Sequence, residues 1–319
     1  MNPAPGKILF IAASGIGNTI LATPMIQRAR ELWPQAQLDL LTSRKVFQAP
    51  LAHADIITNF FDLERSALST LWHLRRECYD VSINCFPSNR WQYNVVAGTI
   101  GATQRITHSY FDGNHMAWLM NSKIPADESL HDVEQNLRSL NAIDANISGS
   151  VPPPVIFALR DEHKQRADEW LRSERLENRR LVGLHVARGK PADNHWLMNR
   201  RLGATNSPRE EDLRRDIAAH STDSAIIFFG DAEQETVIAN FRKQLPEETQ
   251  SRCHRYCGDL WTTAALIGKC HYFISGDTVL MHIASVFQIP QKAYFMSTNP
   301  RRTAPRNPKA ELVAENSDA

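Results

Sequence analysis

Short apolar runs alternate with longer amphipathic stretches along most of the chain. KILFIAA, residues 7–13, has no polar position after Lys7, as expected of a strand buried on both faces of a sheet. From Thr19 apolar side chains recur at Ile20, Leu21, Met25, Ile26, Ala29 and Leu32, a helical spacing that Pro34 ends. QLDLLT, ADIITNFFDL and YDVSINCF read as further strands, with the helical ALSTLWHLRREC before the last of them. ISGSVPPPVIFAL, residues 147–159, interrupts this rhythm, because three consecutive prolines fit neither a helix interior nor a central strand. It reads as a linker.

The alternation then resumes. A charged helix over 161–175 precedes the strand RLVGLHVA, a polar loop and a helix over 210–220. SAIIFFG is a strand, 233–244 a helix, TAALIGKC a helix and HYFISGDT a strand. VLMHIASVFQ is a helix and KAYFMS the last clear strand. Strands alternating with helices predict an α/β fold of βαβ units with parallel sheets. The pattern predicts two Rossmann-like domains, 1–150 and 151–319, facing a cleft where the carboxyl ends of both sheets reach one ligand.

Composition narrows the class without naming an activity. The 319 residues suffice for two domains, and 42% hydrophobic with 22% charged residues suits a globular chain in water. The 36 basic and 35 acidic side chains nearly cancel, so bulk charge gives no reason to expect a nucleic-acid partner. The cluster Arg301, Arg302 and Arg306 could hold phosphate or be a solvated tail. No apolar run reaches membrane-spanning length, and MNPAPGKILFIAAS lacks a signal peptide's layout. Five cysteines without tight pairing read as thiols in a reducing cytoplasm. Cys253, His254 and Cys257 lack the second ligand pair that a zinc site usually needs.

Three stretches could carry chemistry. In SGIGN, Gly15 and Gly17 permit a tight turn and close approach of a ligand to the backbone. The next helix start offers N–H groups to an anion. A third glycine and a ribose-binding acid are missing, so a dinucleotide site is poorly supported, and a plain structural turn is an equal reading. In FISGDTVLMHIASVFQ, Gly276 leads to a helix start where Asp277 or Thr278 is the expected cap. Thr278, Val279 and His282 would lie near a pyrophosphate; a simple N-cap and a packed histidine are the structural alternatives. In VGLHVARGKPADNHW, His185, Arg188, Lys190 and His195 are candidate phosphate contacts, with a solvated loop as the alternative.

Taken in order, these segments resemble the family 9 glycosyltransferases, the group of the ADP-heptose:lipopolysaccharide heptosyltransferases. The likeness runs from about Lys7 to Pro305. It is carried by KILFIAASGIGNTILATPMIQRARELWPQAQLDLLT, YDVSINCFPSNRWQYNVVAGTIGATQRI, LHDVEQNLRSL, IIFFGDAEQE, CGDLWTTAALIGKCHYFISGDTVLMHIASVFQIP and FMSTNP. The resemblance implies the GT-B architecture and inverting, metal-independent transfer without a cofactor. The N-terminal domain would bind a glycolipid or glycan acceptor such as a lipopolysaccharide core, with Ser14, Gly15, Gly17 and Arg90 in its acceptor-side loops. The C-terminal domain would bind a nucleotide sugar, typically ADP-heptose. A glycolipid acceptor would bring the protein to the inner face of the plasma membrane.

Asn18 stands where the family places an aspartate base, and a neutral amide cannot accept a proton at pH 7. His108, Asp112 and His115 are the alternative bases. Asn194 stands where the family's phosphate lysine is expected, with Lys190 four residues earlier, and Val279 replaces a usual glycine. These departures motivate a second reading, a degenerate member that binds a sugar nucleotide or glycan without transferring it. An NAD-dependent oxidoreductase rests on the Rossmann pattern alone.

Overall fold

A computed structural model describes residues 4–110, 116–147, 151–186, 208–296 and 298–314. The chain divides into two units, the first reaching Ala158 and the second beginning at Leu159.

In the first unit the strands are β1 (Lys7–Ile11), β2 (Gln37–Thr42), β3 (Asn59–Asp62), β4 (Val81–Asn84), β5 (Gln104–Ser109) and β6 (Ser122–Pro125). They form one parallel sheet in the order β3-β2-β1-β4-β5-β6. The unbroken apolar character of β1 follows from its place at the centre. Ile8 and Phe10 enter one core cluster, while Leu9 and Ile11 enter another. All four are essentially inaccessible, each worth about 1.5–3 kcal/mol of burial.

The second unit repeats this plan with β7 (Leu181–His185), β8 (Ala225–Phe229), β9 (Cys253–Tyr256), β10 (Tyr272–Gly276), β11 (Gln291–Phe295) and β12 (Ala310–Ala314). Its parallel order is β12-β11-β10-β7-β8-β9. Counted from the first strand of each unit, both sheets have the doubly wound order 3-2-1-4-5-6. Each therefore reverses direction of winding once, between β1 and β4 and between β7 and β10. The expectation of two Rossmann-like α/β sheets holds.

The structure changes several local expectations. The first helix spans Ile16–Leu32 instead of starting near Thr19, with Gly15 as its N-cap residue. Pro24 lies inside it without breaking it. Proline has no N–H for the Ile20 carbonyl, but the Thr23 hydroxyl donates to that carbonyl at 2.7 Å. The long apolar stretch ADIITNFFDL gives only the four residues of β3.

The proline segment is irregular, yet it is tied to the first helix. Arg28 donates to the Val151 carbonyl at 2.8 Å and Gln27 to the Pro154 carbonyl at 2.6 Å. The Ile156 N–H donates to Thr23 Oγ1 at 2.9 Å. None of the five cysteines forms a disulfide.

Candidate functional site

In open α/β sheets the crevice for ligands lies beyond the carboxyl ends of the strands where the winding reverses. In the first unit those ends are the segment after β1, carrying Ser14 to Asn18, and the segment after β4, carrying Phe86 to Arg90. Gly15 has φ 138° and ψ 168°, a conformation essentially reserved for glycine. A Cβ there would meet nothing within 4 Å, so backbone conformation alone selects glycine, and open space lies above the turn.

Ser14, Gly15, Gly17 and Asn18 are all half-buried, accessible from the crevice side. Asn18 is the third residue of the helix and donates from Nδ2 to Ser14 Oγ at 2.8 Å. That bond fixes the amide one turn above Ser14.

The segment after β4 joins the same place. Arg90 is the residue before the helix Trp91–Ile100, and Tyr93 lies in its first turn. Burial pushes the Tyr93 phenol up to about 12, against a hydrogen bond with Ser14 and the nearby Arg90 charge, which both favour ionisation. Tyr93 thus lies near both Ser14 and Arg90, a neighbourhood the sequence reading missed although Tyr93 is one helical turn beyond Arg90. Below them Asn84, fully buried at the end of β4, donates to Asn94 Oδ1 and Thr107 Oγ1 at 3.2 and 3.3 Å.

His108 is not brought into this arrangement. It lies fully buried in β5, with Nε2 3.0 Å from the Gln135 carbonyl and its ring edge-on to Phe86. Burial pulls its pKa down to about 4. Those are features of a packed, neutral core histidine and give it no route to an acceptor hydroxyl. Asp112 and His115 lie outside the described residues.

In the second unit the corresponding ends are those of β7 and β10. Gly276 ends β10, buried, and Thr278 precedes the helix Val279–Val286. Thr278 is the N-cap residue of this helix, as expected, but its side chain makes no capping hydrogen bond. The Thr278 hydroxyl shares a hydrogen bond of 3.1 Å with Nδ1 of His185, the last residue of β7, so the two strand ends are bridged.

Asp277 Oδ2 accepts from Thr303 Oγ1 at 3.2 Å, and its backbone N–H donates to the Tyr294 carbonyl at 3.1 Å. Thr303 ends the short helix Pro300–Thr303, whose start is capped by Asn299. The Asp-Thr and Thr-Asn-Pro stretches are therefore pieces of one construction. Val279 is half-buried at the helix start, where unpaired N–H groups point outward along the axis. His282 is buried one turn later, its Nε2 3.9 Å from Asp277 Oδ1.

His185, a candidate phosphate contact, is held neutral. Burial pulls its pKa down to about 4, against opposing influences of the Asp231 charge and a Gln234 hydrogen bond. At neutral pH it is a hydrogen-bonding ring without charge. Arg188, Lys190, Asn194 and His195 lie outside the described residues.

The two low histidine values have a consequence for stability. In the unfolded chain an imidazole titrates near 6.5; in the fold His108 and His185 both stay neutral down to about 4. Between those values the unfolded state binds protons that the native state does not, so stability falls as pH falls from 6.5 towards 4 and levels off below. The expected loss is on the order of 1–3 kcal/mol per ring. Urea-unfolding midpoints across this window check it, and a profile flat from 6.5 to 4 contradicts it.

The model of the family described as glycosyltransferase family 9 (heptosyltransferase) matches residues 215–319. Lipooligosaccharide heptosyltransferase 2 of Haemophilus ducreyi is 31% identical over 337 aligned positions, covering 96% of this chain and 88% of that protein. Among solved structures, the glycosyl transferase family 9 protein of Veillonella parvula superposes with a TM-score of 0.78 at 17% identity. That match covers 97% of this chain and 86% of the other. The ADP-heptose lipopolysaccharide heptosyltransferase II of Escherichia coli superposes with a TM-score of 0.73 at 18% identity, covering 96% and 90%.

Proposed function

The chain belongs to glycosyltransferase family 9, and from that membership we propose that it transfers a heptose-like sugar from ADP-heptose to a lipopolysaccharide-core or related glycan acceptor. The Haemophilus ducreyi relative, matched over nearly the whole chain, is the observation that carries this reading. The name of the Escherichia coli structure supports ADP-heptose as donor.

In this reading residues 1–150 bind the acceptor and 151–319 the nucleotide sugar. An acceptor hydroxyl attacks the anomeric carbon from the face opposite the nucleotide, forming the new C–O bond. The bond to the diphosphate breaks, its electron pair leaves with ADP, and the hydroxyl proton passes to a base or to water. The displacement inverts the anomeric centre and calls on no metal or cofactor.

The chain's own residues divide the work. The open backbone turn at Gly15 leaves room for the acceptor, and Arg90 offers a cation beside it. At the donor side, the N-terminus of the helix Val279–Val286 supplies N–H groups and partial positive charge to the departing diphosphate. Thr278 and His185 hold that helix start at the end of β7, and Asp277 holds Thr303. Arg188, Lys190 and Asn194 complete the donor set in this reading. Such preorganised donors stabilise charge that develops as the leaving group departs.

A screen of nucleotide sugars by thermal shift tests the proposal. ADP-heptose present at about 100 times its dissociation constant should stabilise the fold by about 2.7 kcal/mol, and ADP should then be released when acceptor is added. If no nucleotide sugar raises the melting temperature and none is consumed, the proposal fails.

A further inference from the structure

Away from both winding reversals, the first unit carries an exposed face of apolar and basic side chains. The helix Ala67–Arg76 buries Leu71 and Leu74 beneath it. Its outer side exposes Leu68 at 83% and Trp72 at 60%, one turn apart. Arg75 and Arg76 are exposed on the same side, and the Arg76 guanidinium lies 3.8 Å above the centroid of the Trp72 ring. A surface groove of about 500 Å³ runs between this helix and Thr99, to whose carbonyl Arg75 donates at 2.9 Å.

The next element continues the pattern. Thr99 belongs to the helix Trp91–Ile100, which has no charged residue, and Leu119 lies directly over Gly98 in that helix. Beside Leu119, Trp118 is 75% exposed and Met116 is 42% exposed.

The charge of this face has one sign. The helix Ala67–Arg76 contains no Asp or Glu, and exposed Arg65 precedes it. Of the two nearest flanking acids in sequence, Glu77 pairs with Lys7 at 3.0 Å and lies 3.8 Å from His73 of this helix, and Glu64 accepts from the Lys45 N–H at 2.9 Å. Tryptophan rings beside guanidinium groups suit the boundary between headgroups and acyl chains, where the ring partitions and the cation meets phosphate.

We propose that the face bearing Leu68, Trp72, Arg75 and Arg76, extended by Trp118, docks on the surface of an anionic lipid bilayer. This gives the membrane contact expected of a glycolipid-modifying enzyme a definite place, yet it depends on neither the donor nor the acceptor. Binding combines shallow insertion of the apolar side chains with attraction of the arginines to anionic headgroups.

The test is co-flotation of the full chain with phosphatidylcholine vesicles prepared with and without phosphatidylglycerol. The wild-type chain should bind the phosphatidylglycerol vesicles, bind the neutral ones far less, and lose binding as salt rises. Arg75→Gln with Arg76→Gln should weaken binding about 30-fold. Leu68→Ser with Trp72→Ser should likewise weaken co-flotation with the phosphatidylglycerol vesicles. Neither pair should change the thermal shift given by nucleotide sugar, which separates this proposal from that for the donor. Equal binding of wild type and both variants overturns it, as does absence of wild-type binding. Lipid-free dimerisation of the wild type that the Leu68/Trp72 variant loses would assign the face to a second copy instead.

Discussion

Asn18→Asp raises the rate of sugar transfer by about 10²- to 10⁴-fold, the range a positioned general base contributes. The geometry accepts the change. Asn18 is half-buried and bonded to Ser14 Oγ at 2.8 Å through its Nδ2. An aspartate has the same shape, and the Ser14 hydroxyl need only turn its proton towards the carboxylate to keep the bond. The position is in the first turn of the helix Ile16–Leu32, where a negative charge is favoured by the helix dipole.

What changes is the chemistry at one atom. The amide holds no lone pair that takes a proton at neutral pH, whereas a carboxylate does. Steady-state kinetics should place the gain in kcat with little change in donor KM, because the base acts in the transition state. An unchanged kcat beside a wild-type chain that turns over many times would put the proton acceptor elsewhere.

The second large effect concerns stability. Asp216 is buried in the helix Glu210–Ala218, where Oδ1 accepts from Lys292 Nζ at 2.8 Å and Oδ2 from the Tyr294 hydroxyl at 2.5 Å. It thereby holds the inner strand β11 to the helix that covers it. For Lys292, burial favours the neutral amine, but the Asp216 carboxylate outweighs it and holds the pKa above the ordinary lysine value.

Asp216→Ala leaves the Tyr294 hydroxyl buried without its acceptor and Lys292 with only Glu311, at 3.4 Å. Breaking a buried pair in this one-sided way costs about 3–5 kcal/mol. For a unit of this size that is a fall in melting temperature of roughly 6–20 °C. Adding Lys292→Met should recover much of the loss, because it removes the stranded charge. A loss of under about 1 kcal/mol for Asp216→Ala alone would show that water or Glu311 replaces the carboxylate.

Much of the fold was legible because the sheets are buried on both faces. β1, β8 and β10 read as nearly continuous apolar runs, since both sides of each strand meet a core, and β2 does so apart from the buried Asp39. β6, β9 and β12 escaped notice for the opposite reason. They lie at the sheet edges, and segments such as SKIP and CHRY mix polar and apolar side chains without a run or a clean alternation. β5, beside an edge, has the same mixed character in QRITHS. The start of the first helix was placed too late because apolar periodicity begins at Ile20, while the preceding turn is set by the φ of Gly15.

The site was legible as strand ends and helix starts but not as pairings. Nothing in the spacing of residues joins His185 to Thr278 or Asp277 to Thr303. Those contacts exist only because the sheet order brings β7 beside β10 and the next loop folds back. Local composition could place Asp277 and Thr278 at a helix start, yet it could not tell that both side chains are committed elsewhere. The neutral state of His185 likewise comes from burial, which a loop-edge histidine in a polar stretch does not advertise.

Thr23 carries a double structural load in the first unit. One hydroxyl compensates for Pro24 by donating to Ile20, and the same oxygen receives the Ile156 N–H. A lineage that exchanged Pro24 for a residue with an N–H would make the first task redundant but not the second. One that lost Thr23 would forfeit both at once. Thr23 therefore answers two structural demands at once, and its replacement would loosen both the helix and its tie to the proline segment.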